Sequence, residues 1–355
     1  MELKIIKTKD DFLAAKMRWQ EIYSAMKDAS PFQSWEWNFN WWDSHIDGEL
    51  CVLEAIESER TFAFMPLIIV GKEIKLIGDK HFDYGLIIVA ERKRAVFDFF
   101  IKNILHICKE RKLTFRFANI PITSSQYAFF KEYATKNKKV AIREQVSTAN
   151  LKLEEYGCFQ RYLTAISSSL RKKAIKPCLK ADLQYQLEDF DENLWEDIER
   201  IYCARQEDRV GVSTLAWAKE VVRRLAQQKI LYISTLKKDN KRIAFLIFFN
   251  DSNSYYIWLT AFQKTNDLRL GHYIRYCLIE KAYNENISVV DMMRGAYDYK
   301  KEWDCNVTFN YEFIIFRSRW KKRMYLWKQK LRKRIRNIVY NNKFLKKIYQ
   351  KKSKH

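Results

Sequence analysis

Near the C-terminus, Trp320, Met324, Trp327, Leu331, Ile335 and Ile338 follow one another at steps of four, three, four, four and three. That spacing keeps all six on one face of a single helix, and Lys and Arg fill nearly every position between them. Asn341-Asn342 interrupts the period, and Phe344, Leu345, Ile348 and Tyr349 resume it. Further back the pattern shifts to short apolar runs. Ile230–Thr235 and Ile243–Phe249, joined through the polar Lys237-Lys238-Asp239-Asn240, predict a hairpin. Ser254–Phe262, rich in Tyr and Trp, predicts a third strand. A polar loop over Gln263–Leu270 then leads through Gly271 into a helix over Tyr273–Asn284. A strand over Ser288–Met292, a short helix around Tyr299–Trp303 and a last strand over Phe309–Phe316 complete this region.

The first 150 residues alternate similarly. A strand Leu3–Ile6 and a helix Asp10–Met26 precede a hairpin of Leu50–Ile56 and Thr61–Ile69 across Glu57-Ser58-Glu59-Arg60. Short strands Glu73–Ile77 and Leu86–Val89, a helix Arg94–Glu110 and a strand Leu113–Phe117 follow. In the middle, Ser167-Ser168-Ser169 opens a basic helix whose hydroxyls suit its N-cap, and Asn193–Arg209 and Thr214–Gln228 read as two more helices. The pattern predicts an α/β chain with a mixed sheet. Its parts are a first domain over 1–150, a basic inter-domain segment over 151–186, a second domain over 187–316 and a basic amphipathic tail over 317–355. No repeat is visible as sequence identity, yet a strand-hairpin-helix-strand outline occurs in both halves and points to a duplicated fold.

Composition changes this picture in two places. With 355 residues, 48% of them hydrophobic and 15% aromatic, the chain can bury substantial cores, which excludes disorder. The net charge of +22 is concentrated: residues 317–355 hold 17 Lys or Arg and no acid, leaving 48 basic against 43 acidic residues in the body. The seven cysteines show no CxxC or Cys/His spacing, so buried reduced thiols are expected rather than disulfides or a metal. Acids near the N-terminus argue against a signal peptide, and no apolar stretch approaches the roughly 20 residues a membrane span needs.

Candidate chemistry centres on Asp267-Leu268-Arg269-Leu270-Gly271-His272, where a strand hands the chain to a helix. Unpaired amides at such an end attract phosphate, glycine permits close approach, and Arg269 adds charge; an ordinary helix start is the competing reading. In its β-β-β-loop-α-β order the chain resembles the GNAT acyltransferase fold. Further motifs sharpen this: Trp35-Glu36-Trp37 with Trp41-Trp42, Ile77-Gly78-Asp79, Phe82-Asp83-Tyr84-Gly85, Ser169-Leu170-Arg171-Lys172-Lys173, and Ile201-Tyr202 with Arg205. Tyr255-Tyr256-Ile257-Trp258-Leu259, Leu270-Gly271, Asp291 with Arg294-Gly295, and Tyr299-Lys300-Lys301-Glu302-Trp303 complete the set. Together they resemble the CelD-type acetyltransferases of bacterial envelope-polysaccharide clusters, relatives of the FemABX peptidoglycan transferases, over about residues 30–316.

The resemblance implies tandem GNAT-like domains, with acyl-CoA as co-substrate in the second and the acceptor in the cleft between them. It implies that Arg269, Leu270, Gly271, His272 and Tyr273 hold the donor pyrophosphate and that Lys300 faces the transferring carbonyl or the donor phosphates. Tyr273 departs from the small residue many GNAT loops carry there, which leaves room for an acyl carrier protein or aminoacyl-tRNA donor. Amide formation also needs a base. His81 and Asp83 are the candidates, as a pair or with Asp83 alone, its pKa raised by burial; a surface or satisfied histidine is the bland alternative for His81 and for His272. Arg171 and Lys172 suit an anionic acceptor or a solvated helix face, Arg205 a substrate or a buried ion pair, and Tyr256 is a further substrate-binding candidate. For Trp35, Trp37, Trp41 and Trp42, core packing outweighs sugar stacking.

The tail reads as a helix lying on an anionic membrane; docking on the protein's own body and a grip on nucleic acid are the alternatives. The expected function is N-acyl transfer to an amine-bearing envelope sugar or lipid-linked amine by a cytoplasmic protein at the inner membrane face. An aminoacyl-tRNA-dependent FemABX-like transferase and a non-catalytic binding protein on a GNAT scaffold are the alternatives.

Overall fold

The computed structural model describes residues 1–45, 48–206, 215–295 and 298–341. Its large sheet runs in space as Gln184–Glu188, Leu231–Lys238, Lys241–Asn250, Ser254–Phe262, Val289–Arg294, Val140–Lys152, Asn306–Ile315, Thr114–Pro121, Glu73–Leu76, Leu67–Val70 and Glu49–Leu50. A small sheet of Glu2–Ile6, Val52–Glu57, Arg60–Met65 and Ile88–Val89 covers the first half. Pairing in the large sheet is antiparallel except at two places. Glu73–Leu76 lies parallel to Thr114–Pro121, and Ser254–Phe262 lies parallel to Val289–Arg294. Parallel neighbours need a crossover, and each pair has a helix supplying it, Lys93–Glu110 in the first half and Leu270–Asn284 in the second.

The two halves exchange strands. Val140–Lys152 pairs with Val289–Arg294 on one side and Asn306–Ile315 on the other, while Asn306–Ile315 also pairs with Thr114–Pro121. The regions drawn at 1–150 and 187–316 therefore share one continuous sheet. Val140–Lys152 and the helix Ser125–Lys136 were not foreseen from the pattern. The helix expected over Asp10–Met26 is two, Lys9–Ala14 and Lys16–Ser24, meeting at buried Ala15. The predicted turn at Asp239-Asn240 puts both residues in the left-handed region, with φ of 49° and 59°, as a two-residue hairpin turn requires.

The tryptophan-rich segment forms the helix Trp35–Ser44, capped by Ser34, and packs as core. Trp37 is fully buried and meets Phe249 and Trp258 of the second half edge-on at 5.8 and 5.4 Å, so this helix joins the halves. Ser167 caps the basic helical segment as expected; its next turn, Arg171–Ile175, is a π-helix packed against the helix Leu270–Asn284. The described helices Glu192–Gln206 and Ala216–Gln227 end short of the expected Arg209 and Thr214, which lie outside the described residues.

The tail forms the helix Arg319–Asn341. Its attachment to the body runs through Lys322, which donates to the Val140 carbonyl, and Tyr325, which donates to Glu312 Oε2 at 3.1 Å and packs on Phe316. Trp320, Trp327, Leu331 and Ile335 lie exposed, with Trp320 at 66% and Trp327 at 59%. The apolar stripe thus faces away from the body, and docking on the protein itself is excluded for these four residues. Phe344, Leu345, Ile348 and Tyr349 lie outside the described residues. Among the described residues no helix is long and apolar enough to cross a membrane.

Candidate functional site

The parallel pairing of the second half lasts for three positions: Ser254 opposite Val289, Tyr255 opposite Val290 and Tyr256 opposite Asp291. Past Tyr256 the two strands diverge, and the facing edge of Ile257–Phe262 loses its ladder partner, leaving backbone donors and acceptors toward the gap. Its other edge stays paired with Lys241–Asn250, but the register skips Trp258: Phe248 faces Ile257 and Ile247 faces Leu259. This bulge sits where the gap opens, and bulges re-aim side chains. The gap widens into a cavity of about 400 Å³ between Ile257–Thr260 and Met292–Arg294. Arg275, Tyr299, Tyr202, Trp217 and, from the first half, Lys80, His81 and Asp83 complete its lining.

One wall is held in an unusual conformation. Met293 has φ of 60°, in the left-handed region, which for such a side chain costs on the order of 1–3 kcal/mol. Three groups maintain it. Asp291 Oδ1 accepts from the Met293 amide at 2.6 Å. Lys300 Nζ donates to the carbonyls of Met292, Met293 and Arg294 at 2.7, 2.8 and 2.9 Å. Arg294 donates to Asp83 through its amide, at 2.8 Å to Oδ2, and through its guanidinium to Oδ1. Lys300 is buried and its ammonium donates to these three main-chain carbonyls, which holds the wall in shape. Asp83, buried in the first half, accepts from Arg294 of the second half and so ties the two halves together.

His81 does line the cavity, sandwiched against Trp217 and Trp41 at 4.0 and 4.8 Å. Burial, helped by nearby His45 and Arg294, lowers its pKa to about 4, so the ring is neutral at pH 7. With both Asp83 oxygens held by Arg294, the expected His81–Asp83 pairing does not form.

A carboxylate beside the cavity has its proton affinity altered in the other direction. Asp291 is 5% exposed, and burial raises its pKa to about 6 against the pull of bonds from Tyr84 and the Met293 amide. Tyr84 donates its phenol to Asp291 Oδ2 at 2.5 Å. Asp291, Tyr84 and Tyr256 line a second cavity of about 240 Å³, with Asn150, Thr308 and Asp28. Successive strand residues alternate faces, so Ile257 and Met292 front one cavity while Tyr256 and Asp291 front the other. Two cavities thus flank the point of divergence. Tyr256, besides lining this second cavity, donates to Asp251 Oδ2 at 2.9 Å.

At the helix start at Leu270 an aromatic ring lies over the glycine. A Cβ on Gly271 would lie 2.2 Å from the Phe262 ring, so the space the glycine frees is occupied by Phe262, itself covered by the Arg205 guanidinium at 4.8 Å from its centroid. The Arg269 carbonyl accepts from the amides of His272 and Tyr273 at 2.9 and 3.1 Å. Leu270 is fully buried, and Tyr273 stacks on Tyr276 at 5.8 Å. His272 packs between Trp303 and Tyr299, where burial lowers its pKa to about 4. Of the five residues assigned to the donor phosphates, Arg269 alone is exposed. Arg171 is also differently employed, donating to the Leu163 and Thr164 carbonyls at the end of the helix Phe159–Ala165, while Lys172 is exposed.

Arg275, one turn into the helix, lines the cavity together with the cations Lys80 and Arg294. It is 7% exposed, donates to the Gly271 carbonyl and to Tyr299 Oη at 3.4 Å, and its Nε has no partner. Its Nε is buried as well as unpartnered, a costly arrangement for a guanidinium. Arg275 and Trp217 escaped the sequence reading, and Tyr84 and Asp291 entered it only as members of motifs.

Residues 170–301 match the family model of an acetyltransferase (GNAT) domain. No curated protein matches the chain by sequence. Among solved structures, FemX is similar with a TM-score of 0.65 at 9% identity, over 89% of this chain and 97% of that one. L-PGS from Bacillus licheniformis gives 0.59 at 11% identity, over 85% and 92%. A tandem GNAT protein from the clavulanic acid biosynthesis pathway gives 0.54 at 10%, over 88% and 98%. The chain therefore carries a GNAT acetyltransferase-type domain within a mixed α/β fold of tandem GNAT-like halves.

Proposed function

We propose that the protein is an N-acyltransferase whose donor and acceptor approach the Tyr256–Asp291 junction from its two flanking cavities. The observation that carries this reading is the divergence of the parallel pair, with an open cavity on one side and a buried carboxylate of raised pKa on the other. In the reaction the acceptor nitrogen attacks the acyl carbonyl, the N–C bond forms, and the bond from the carbonyl to the donor's sulfur or oxygen breaks. Asp291 takes the amine proton; a pKa near 6 leaves it ionised at pH 7 and close to the optimum for a base. Tyr84 donates to the same carboxylate and keeps it oriented. Unpaired strand-edge amides past Tyr256 suit the oxyanion, where a fixed donor contributes about 10²–10³-fold. Arg275, aided by Arg269, holds the donor's anionic part.

Acyl-CoA is the donor we favour, on the family-model match to residues 170–301. An aminoacyl ester on tRNA is the second reading, favoured by the net charge of +22. The acceptor is the amine of an envelope-precursor sugar or lipid-linked molecule at the inner membrane face, with kinship to CelD-type enzymes resting on the motifs named above. Support for the membrane comes from the outward stripe of Trp320, Trp327, Leu331 and Ile335 amid cations. The test is thermal stability across acyl-CoAs of increasing chain length and a charged tRNA, followed by donor consumption with a panel of amino sugars. Stabilisation by acyl-CoA that Arg275→Gln abolishes is expected; indifference to every donor would end the reading.

A further inference from the structure

A second depression lies away from the cleft. It is a groove of about 780 Å³ between the ends of the helices Lys93–Glu110 and Ser125–Lys136 and the start of the C-terminal helix. Leu105, Leu113, Tyr133, Val140, Ile315 and Phe316 give it an apolar floor. Its remaining lining includes Lys109, Lys112, Lys136, Lys138, Lys139, Arg317 and Arg319, and no carboxylate. Two of these cations have an ordinary explanation: Lys109 and Lys136 sit in the last turns of helices, where positive charge is favoured, and Lys136 pairs with Glu132. The other five are exposed, and among the described residues no carboxylate pairs with them. Five cations drawn from three separate chain segments thus face one groove, where like charges repel one another.

Position separates the groove from the chemistry. Ile315 pairs with Val140 at the groove, while Asn306 pairs with Asn150 at the cleft end of the same two strands. Ten residues of strand cover roughly 33 Å, so a molecule in the groove is out of reach of Asp291. Arg317 and Arg319, however, belong to both the groove and the base of the tail helix, whose exposed Trp320 follows immediately.

We propose that this groove binds the phosphate headgroup of an anionic phospholipid, with its acyl chain on the apolar floor, while the Trp320–Ile335 stripe lies in the same membrane surface. The proposal rests on the membrane reading of the tail and assigns it a specific lipid site. The bound lipid is a tether and not the acceptor.

The test uses the full chain and flotation with vesicles of phosphatidylcholine, with or without about one third phosphatidylglycerol. A cation near an anionic surface is worth about fivefold in partitioning, so Lys112→Gln, Lys138→Gln and Lys139→Gln combined lower binding to the anionic vesicles by roughly tenfold or more. A charge-matched control removes three exposed lysines elsewhere, Lys180→Gln, Lys238→Gln and Lys241→Gln, and loses under threefold. Equal losses in the two variants reduce the effect to net charge and overturn the site. Equal binding of the wild type to both vesicle types overturns it as well, as does a groove variant that loses affinity for an RNA oligomer while keeping its affinity for vesicles. Acyl transfer to a soluble amine, measured without vesicles, stays at the wild-type rate in the groove variant, so failure of the lipid site and failure of the transferase reading are told apart.

Discussion

Both halves contain a parallel strand pair that holds for three positions and then diverges, yet the two gaps have opposite fates. In the first half, Glu73–Leu76 and Thr114–Pro121 separate after Lys75 and Arg116, and the chain's own segment Ile77–Ile87 closes in. Gly85 donates to the Asn119 carbonyl at 2.8 Å, Asn119 donates back to the Phe82 carbonyl at 2.8 Å, and Gln126 bonds both main-chain groups of Ile87. In the second half the gap stays open as the cavity at Arg275. The segment that closes the first gap is the one that delivers His81, Asp83 and Tyr84 to the second. One gap is filled so that the other can be completed, which explains why a duplicated fold has one cleft.

The largest effect should come from breaking the open wall. Lys300→Met leaves three carbonyls beside a strained Met293 without their donor. We expect a loss of about 3–5 kcal/mol in urea unfolding, as for other broken buried polar groups, with activity falling alongside. A variant as stable as wild type but inactive would restore Lys300 to a direct chemical role.

Asp291→Asn should separate stability from chemistry. The folded-state pKa is raised from 3.8 to about 6, so the protonated form is favoured by the fold. That contribution is complete below about 4 and lost as pH rises through 6, so a neutral isostere does not destabilise at pH 7. Activity, by contrast, should rise with pH through about 6 in the wild type. It should fall again above about 8, where Lys300, its pKa lowered by burial, gives up the proton that binds the wall. The variant should lose about 10²–10³-fold in kcat/KM together with the acidic limb. A retained limb would assign the base elsewhere.

Breaking the closed gap is a smaller matter. A Cβ on Gly85 would lie 2.1 Å from the Ala118 carbonyl oxygen, which is backbone and cannot step aside. Gly85→Ala should destabilise by about 1–3 kcal/mol and lower kcat by displacing Tyr84. Unchanged kcat in the folded fraction would show that the segment's position does not matter to the cleft.

The sequence pattern reached the second half well, because its strands and the helix after Gly271 carry clean runs bounded by polar turns. It failed on Val140–Lys152, where Arg143, Glu144 and Gln145 break any two-residue alternation; that strand is specified by two partners far away in the chain. Tail and stripe were legible because periodicity is local. Arg275 was not, since an arginine within a helix says nothing until its burial and its unpartnered Nε are seen. Lys300 and Asp83 stand out in the sequence only as members of motifs; the partners they bond, Met292–Arg294 and Arg294, are set by tertiary contacts.

The finest comparison is between the two glycines. Gly85 yields to backbone, Gly271 to the movable ring of Phe262, so Gly271→Ala should cost only about 1 kcal/mol in stability. Its effect on the donor KM separates two explanations for that glycine. If it serves only to seat Phe262, then Phe262→Leu relieves the crowding, and the double variant recovers the KM lost by Gly271→Ala, a coupling energy well outside additivity. If the bare Cα is there for a donor diphosphate, shortening Phe262 restores nothing, because the added methyl still occupies the ligand's place. Full recovery would leave Arg275 as the principal anion seat of the cleft; no recovery would return that role to the helix start at Leu270.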